Sequence, residues 1–169
     1  KERELLWEKG LIPAAERETR YGHKSKFIVI TSGTEGSEAS IQDIARQLEK
    51  KLFDLKYTAY YGGVSGLLHG LASGQAETGE RDEHIRQIGE LARILTDSGQ
   101  IFITSIFNLD DYEAEKLRLL NQPNEIAIIN VGDSPFHKFQ PEAIFKMDKA
   151  VESVCRLLKE QEIILDYSI

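Results

Sequence analysis

Apolar residues along this chain recur in two rhythms. Phe27-Ile28-Val29-Ile30-Thr31 is a β-branched run without polar interruption before Ser32-Gly33, the pattern of a strand buried on both faces. From Ser40 the rhythm changes: Ile41, Ile44, Ala45, Leu48, Leu52 and Leu55 recur at helical steps, which predicts a helix opening near Ser40. Tyr57 to Tyr61 returns to strand character and is broken by Gly62-Gly63. A second helix is expected from Thr78, with Ile85, Ile88, Leu91, Ala92 and Leu95 as its stripe; Thr78 and Arg81 make no capping box, but Glu80, Asp82 and Glu83 suit a first turn. Asp97-Ser98-Gly99 stops that helix, and Ile101 to Thr104 reads as a third strand.

Asp110 and Glu113 have capping-box spacing for another helix, running through Leu120. Glu125 to Val131 reads as a fourth strand and Ile144-Phe145 as a short fifth. Asp148 is the expected N-cap of a last helix whose stripe is Val151, Val154, Leu157 and Leu158. Strands alternating with helices of this length imply a mostly parallel sheet of about five strands, covered on both faces in three α/β/α layers. The start is charged and lacks strand character, so 1–24 reads as a helical arm and 25–169 as one α/β domain. An abrupt beginning without Met is expected of a fragment of a longer polypeptide.

Charge narrows the function classes. The formal net charge is −7 and no Lys/Arg cluster is free of nearby acids, which argues against nucleic acid and against an anionic membrane surface. No run approaches the length of a membrane span and no signal peptide opens the sequence, so the expected location is cytoplasmic. The single cysteine, Cys155, falls in the last apolar stripe and is expected to be a buried structural thiol. The glycine-rich stretch from Gly62 to Gly74 is the main flexible-looking region by composition.

In such a sheet the first strand–loop–helix unit is where phosphate binds, because free N–H groups and a helix dipole meet there. Here the unit is Gly33-Thr34-Glu35-Gly36-Ser37-Glu38-Ala39-Ser40. Against G-x-x-x-x-G-K-[ST] it keeps Gly33 and Ser40, while Glu38 replaces the second glycine and Ala39 the lysine. That lysine reaches the β- and γ-phosphates in a working loop. Glu35 and Glu38 would meet those phosphates instead; a like-charge pair at about 5 Å costs roughly 3 kcal/mol at an effective dielectric of about 20. Two readings stand: a polar surface turn, or a vestigial phosphate loop in which Gly33, Gly36, Ser37 and Ser40 offer backbone N–H groups to an anion.

Further segments resemble adenylylsulfate (APS) kinases. Arg81-Asp82-Glu83-His84-Ile85-Arg86-Gln87-Ile88-Gly89-Glu90 is similar to that family's D-R-x-E-N-I-R-R-I-G-E, and the continuation to Gly99 to its A-K-L-F-x-D-A-G. Arg20-Tyr21-Gly22-His23-Lys24 resembles R-x-G-H-K, and Leu68-His69-Gly70-Leu71 resembles R-H-G-L. The resemblance covers about residues 15 to 165 and implies a P-loop NTPase-like fold. It also implies transfer of the γ-phosphoryl group of ATP to the 3′-hydroxyl of APS, with Mg²⁺, to form PAPS. Arg81 and Arg86, with His69, would then hold the nucleotide substrate, unless the arginines pair only with neighbours such as Glu80, Asp82 or Glu90. His23, His69 and His84 lack partners at metal spacing and read as structural or surface residues, so no metal site is expected.

The departures fall where the chemistry is done. The family's D-G-D-N corresponds to Gly63-Val64-Ser65-Gly66, without a carboxylate to orient the acceptor hydroxyl. Its I-S-P turn appears as Phe107-Asn108-Leu109, and Gly132-Asp133-Ser134-Pro135-Phe136, similar to I-D-S-P-Y, follows the fourth strand without the intervening K-G-L-Y-K-K-A-R segment. The expectation is a catalytically impaired relative with no assigned catalytic residue and a regulatory, scaffolding or nucleotide-sensing role. The alternatives are an active kinase using ATP and Mg²⁺, or a binding module for APS or PAPS. The resemblance further implies a homodimer, and fusion to or association with a sulfate adenylyltransferase.

Overall fold

In the computed structural model, which describes residues 8–63 and 78–165, the elements follow in the order α1 (Ala14–Tyr21), β1 (Lys26–Thr31), α2 (Glu38–Asp54), β2 (Ala59–Tyr61), α3 (Thr78–Asp97), β3 (Ile101–Ser105), α4 (Asp111–Asn121), β4 (Ile126–Val131), β5 (Ala143–Phe145), a 3-10 turn (Met147–Lys149) and α5 (Ala150–Glu160). The five strands form one sheet in the order β2-β3-β1-β4-β5, and every pairing is parallel. This is the expected α/β fold, with the sheet wholly rather than mostly parallel among the described residues.

β1 explains the layering. All six of its residues are buried, and its side chains alternate between two cores. Ile28 and Ile30 meet Ile41, Ile44, Leu48 and Leu52 of α2 and Val154, Cys155 and Leu158 of α5. Phe27 and Val29 meet Ile85, Ile88 and Ala92 of α3 and Ala114 and Leu117 of α4. A strand so covered must be apolar on both faces, which is why it reads as an unbroken hydrophobic run. The Cys155 thiol is buried in the first core, and burial pushes its pKa up, disfavouring the thiolate.

Several expectations shift. α2 starts at Glu38, because Ser37 rather than Ser40 supplies the cap, and Leu55 is its half-exposed C-cap. The second strand is only Ala59–Tyr61, and Leu91, expected in the α3 stripe, lies on the solvent side of that helix. Asp148 caps nothing: it falls inside the 3-10 turn that leads into α5, whose N-cap is Lys149 without a side-chain bond. The Asp110–Glu113 capping box is present in both directions.

His23, expected at the surface, is buried. Its Nδ1–H donates to the Lys24 carbonyl at 2.8 Å, which leaves Nε2 as the acceptor for the Thr58 N–H at 3.1 Å and the Thr58 hydroxyl. Residue 23 also bridges Ile164, so this ring ties the segment after α1 to the approach to β2 and to the chain's last described residues.

α3 and α4 approach closely at Gly89: a methyl group there would lie 2.8 Å from Leu120 Cδ1 and 3.0 Å from Leu120 Cβ. Gly89→Val is expected to cost about 1–3 kcal/mol by overpacking, read as a lowered denaturation midpoint at unchanged m-value. Burial holds the His23 pKa below its ordinary 6.5 against the pull of the Lys24 carbonyl and Glu18. The unfolded chain therefore takes up a proton first, so stability is full above about pH 6.5 and falls as pH drops toward the lower folded value. Melting curves of the wild type and His23→Gln between pH 7.5 and 5 should show the steeper loss in the wild type.

Candidate functional site at the C-terminal edge of the sheet

The strand order places β1 where the connections diverge, one leaving toward β2 and β3 and the other toward β4 and β5. Ligands of open α/β sheets bind beyond the carboxyl ends of strands at such a point. The loop after β1 sits there, built by local bonds: the Gly36 N–H donates to the Gly33 carbonyl at 3.0 Å, and the Ser37 hydroxyl accepts from the Ser40 N–H at 3.0 Å. The Ser40 hydroxyl accepts from the Ser37 N–H at 3.1 Å and donates to the Ser37 carbonyl at 2.9 Å. The structure thus brings Gly33, Gly36, Ser37 and Ser40 together, but both serine hydroxyls are spent on the start of α2. The Glu38 and Ala39 amides open the first turn of that helix, where N–H groups lack intrahelical acceptors.

Both glycines are required by contacts. A methyl group on Gly36 would lie 2.5 Å from the buried Ser32 Oγ, and one on Gly33 only 2.1 Å from Asp133 Oδ2. Asp133 follows β4 and lies against the loop: its carbonyl accepts from the Gly33 N–H at 2.8 Å, and its carboxylate Oδ2 from the Glu35 N–H at 3.3 Å. Asn130 Nδ2 donates to the carbonyls of Gly132 at 3.0 Å and Asp133 at 3.1 Å, holding the turn. Oδ1 of Asp133 and Oδ1 of Asn130 are shielded from solvent with no partner among the described residues. No hydrogen bond or ion pair of those residues joins a Lys or Arg to the loop. The loop thus offers N–H donors to an anion such as a phosphate, with the Asp133 carboxylate lying against it, and a carboxylate of that kind is also a ligand type that Mg²⁺ accepts beside nucleotide phosphates.

The turn after β3 forms the other wall. Asn108 takes a left-handed φ of 54°, its N–H donates to the Ser32 carbonyl at 3.0 Å, and the Leu109 N–H donates to Thr31 Oγ1 at 3.2 Å. Arg81, at the start of α3, reaches this wall: its Nε donates to Glu113 Oε2 at 2.7 Å, and Nη2 to Glu113 Oε1 and the Phe107 carbonyl, each at 3.1 Å. Its partner is therefore Glu113 of α4, not Glu80 or Asp82 on its own helix. Arg86 pairs along α3 with Glu83 and, at 2.6 Å, Glu90. Glu83 and then Glu90 hold the guanidinium further toward its charged form, and Arg86 in turn keeps the Glu83 carboxyl below its usual range. The arrangement keeps Arg81 and Arg86 apart, each already engaged, and His69 lies outside the described residues. His84 Nδ1 is shielded and without a partner among the described residues.

The segment after β4 crosses from one wall to the other. The Asp111 carboxylate accepts the N–H groups of His137 at 3.0 Å, Lys138 at 2.9 Å and Phe139 at 3.2 Å. Burial opposes its ionisation, but those bonds outweigh it and hold the carboxyl below its ordinary range. Sequence reasoning missed Asp133, Asn130, Glu113 and Asp111 as site residues. Asn130 carried a signal, a lone amide inside the apolar run Ile128-Ile129-Asn130-Val131.

A parallel sheet in this order, with a glycine loop running into a helix at its switch point, defines a P-loop-kinase type of α/β domain. Residues 25–138 match the family model described as adenylylsulphate kinase, and the chain belongs to that family. It is 30% identical over 146 residues to the probable adenylyl-sulfate kinase of Bacillus subtilis, covering 84% of this chain and 71% of that protein. Among solved structures it is similar to the APS kinase of Mycobacterium tuberculosis in complex with AMPPNP and APS, at a TM-score of 0.66 and 17% identity, covering 81% of this chain and 99% of the other. A hexameric APS kinase from Thiobacillus denitrificans aligns at a TM-score of 0.66 and 18% identity over 89% of this chain and 32% of its own.

The two arginines should differ in what they stabilise. Arg81 and Glu113 are largely shielded, with side chains 21% and 10% exposed, so Arg81→Ala leaves a buried carboxylate unpaired and should cost about 2 kcal/mol. Arg86→Ala removes more exposed pairs within one helix and should cost under about 1 kcal/mol. Urea unfolding of the two variants against the wild type reads the difference.

Proposed function

We propose that the chain is a nucleotide-binding domain of sulfate activation that handles ATP and adenylyl sulfate at the edge formed by the loop 33–40, the turn 106–110 and the start of α3. The observation that carries this reading is the family match over 25–138, which includes both the loop and the central helix. The loop's place at the switch point and the mycobacterial relative crystallised with AMPPNP and APS add support. Arg86, the more exposed of the two arginines, is the group proposed to meet the anionic part of the substrate.

The names of the curated relatives, adenylyl-sulfate kinases, support a kinase step on adenylyl sulfate, which by the sequence resemblance would place the ATP γ-phosphoryl group on its 3′-hydroxyl with Mg²⁺. A second reading, slow or absent transfer with a regulatory, scaffolding or nucleotide-sensing role, is favoured by the loop: Ala39 where the lysine would stand, Ser40 committed to its cap, and the Asp133 carboxylate against Gly33. Removing one preorganised donor that stabilises developing charge commonly costs about 10²–10³ in rate in enzymes that use an oxyanion hole. Association with a larger assembly is also proposed, with support from the hexameric relative, of whose chain this one covers a third or less.

A coupled assay with ATP, Mg²⁺ and adenylyl sulfate, alongside calorimetry with each nucleotide, separates the readings. Formation of ADP that depends on adenylyl sulfate and rises with Ala39→Lys is expected of a kinase. Binding heat without turnover, weakened by Arg86→Ala, leaves the sensing role. No heat with ATP, adenylyl sulfate or PAPS would end both.

A further inference from the structure

We propose that Asp133 is a built-in occupant of the phosphate loop, a carboxylate that competes with nucleotide phosphate for the same surface and holds the site closed until the segment 132–139 lifts. The proposal rests on the reading of 33–40 as the nucleotide site and concerns how that site is regulated.

The contact is close. Oδ2 stands where a Gly33 side chain would begin, 2.1 Å from the Cβ position, and it accepts the Glu35 N–H at 3.3 Å. The Gly33 N–H is taken by the Asp133 carbonyl at 2.8 Å. An anion bound to such a loop uses these N–H groups and this space, so carboxylate and phosphate exclude each other. The charge of Asp133 is not met by a cation among the described residues, and Oδ1 is shielded without a partner.

A carboxylate so poorly compensated stays where its tethers keep it, and both tethers are visible. On the near side Asn130 Nδ2 grips the Gly132 and Asp133 carbonyls, and Gly132, at a φ of 82°, makes the turn that few side chains would permit. On the far side Asp111 takes three consecutive N–H groups of the same segment. Between them Phe136 and Phe139 pack on one another at 5.1 Å and against the core under α3 and α4. The segment is thus a strap across the crevice, fastened to α4 and carrying a negative charge onto the loop.

Calorimetry with sodium pyrophosphate and with MgATP tests this on the whole chain, as wild type, Asp133→Asn and Asp111→Ala. Asp133→Asn should bind both ligands at least about tenfold tighter, since a like charge at contact distance is removed. Asp111→Ala, remote from the loop, should shift affinity the same way by a smaller factor, because only the far fastening is released. Equal affinities within twofold for wild type and both variants would overturn the proposal and leave the nucleotide site standing. Absence of heat in all three chains would remove the nucleotide reading, and the proposal with it.

Discussion

Burial of β1 on both faces is the constraint from which the rest of the molecule follows. Six consecutive buried residues can be satisfied only between two neighbouring strands and two helical layers. Packing α2 and α5 on one side and α3 and α4 on the other fixes where β1 ends, and that end is where the glycine loop emerges. The loop's position is therefore set by the hydrophobic core rather than by anything the loop itself binds.

Position and chemistry are separable at this edge. The backbone keeps features that favour an anion: a helix N-terminus and a tight glycine turn at the switch point. The side chain that lies against it is acidic: the Asp133 carboxylate sits beside Gly33 and accepts the Glu35 N–H. Arg81 is drawn off to Glu113 and the Phe107 carbonyl, so a residue that by resemblance would meet substrate here braces the wall of the crevice. Family membership and local electrostatics thus speak to different questions, one to ancestry and fold, the other to what surrounds the loop.

The layers, the strand sequence and the Asp110–Glu113 cap were legible because each depends on nearest neighbours and periodicity. The apolar run of β1 and the stripe of α2 follow from burial alone. What escaped depends on contacts between residues far apart in sequence. Asp133 reaches Gly33 across 100 residues, Glu113 reaches Arg81 across 32, and His23 is covered by Thr58 and Ile164. None of these partners is implied by spacing. Helix starts shifted for a related reason: Ser37 and Ser40 are equally good caps by composition, and only the reciprocal bonds of the folded turn select Ser37.

Helix α3 has a mechanical consequence. Its 20 residues make a rod of about 30 Å. One end carries Arg81 at the crevice; the other turns at Gly99 directly under the ring of Tyr21, while Arg17 reaches the carbonyl of Ser98 at 3.4 Å. Along its length it is stitched to α4 by Asp82–Lys116 and by the close seat of Gly89 on Leu120. A rod fastened at intervals cannot bend easily, so a push on the amino-terminal helix would arrive at the far rim of the sheet as a rigid displacement.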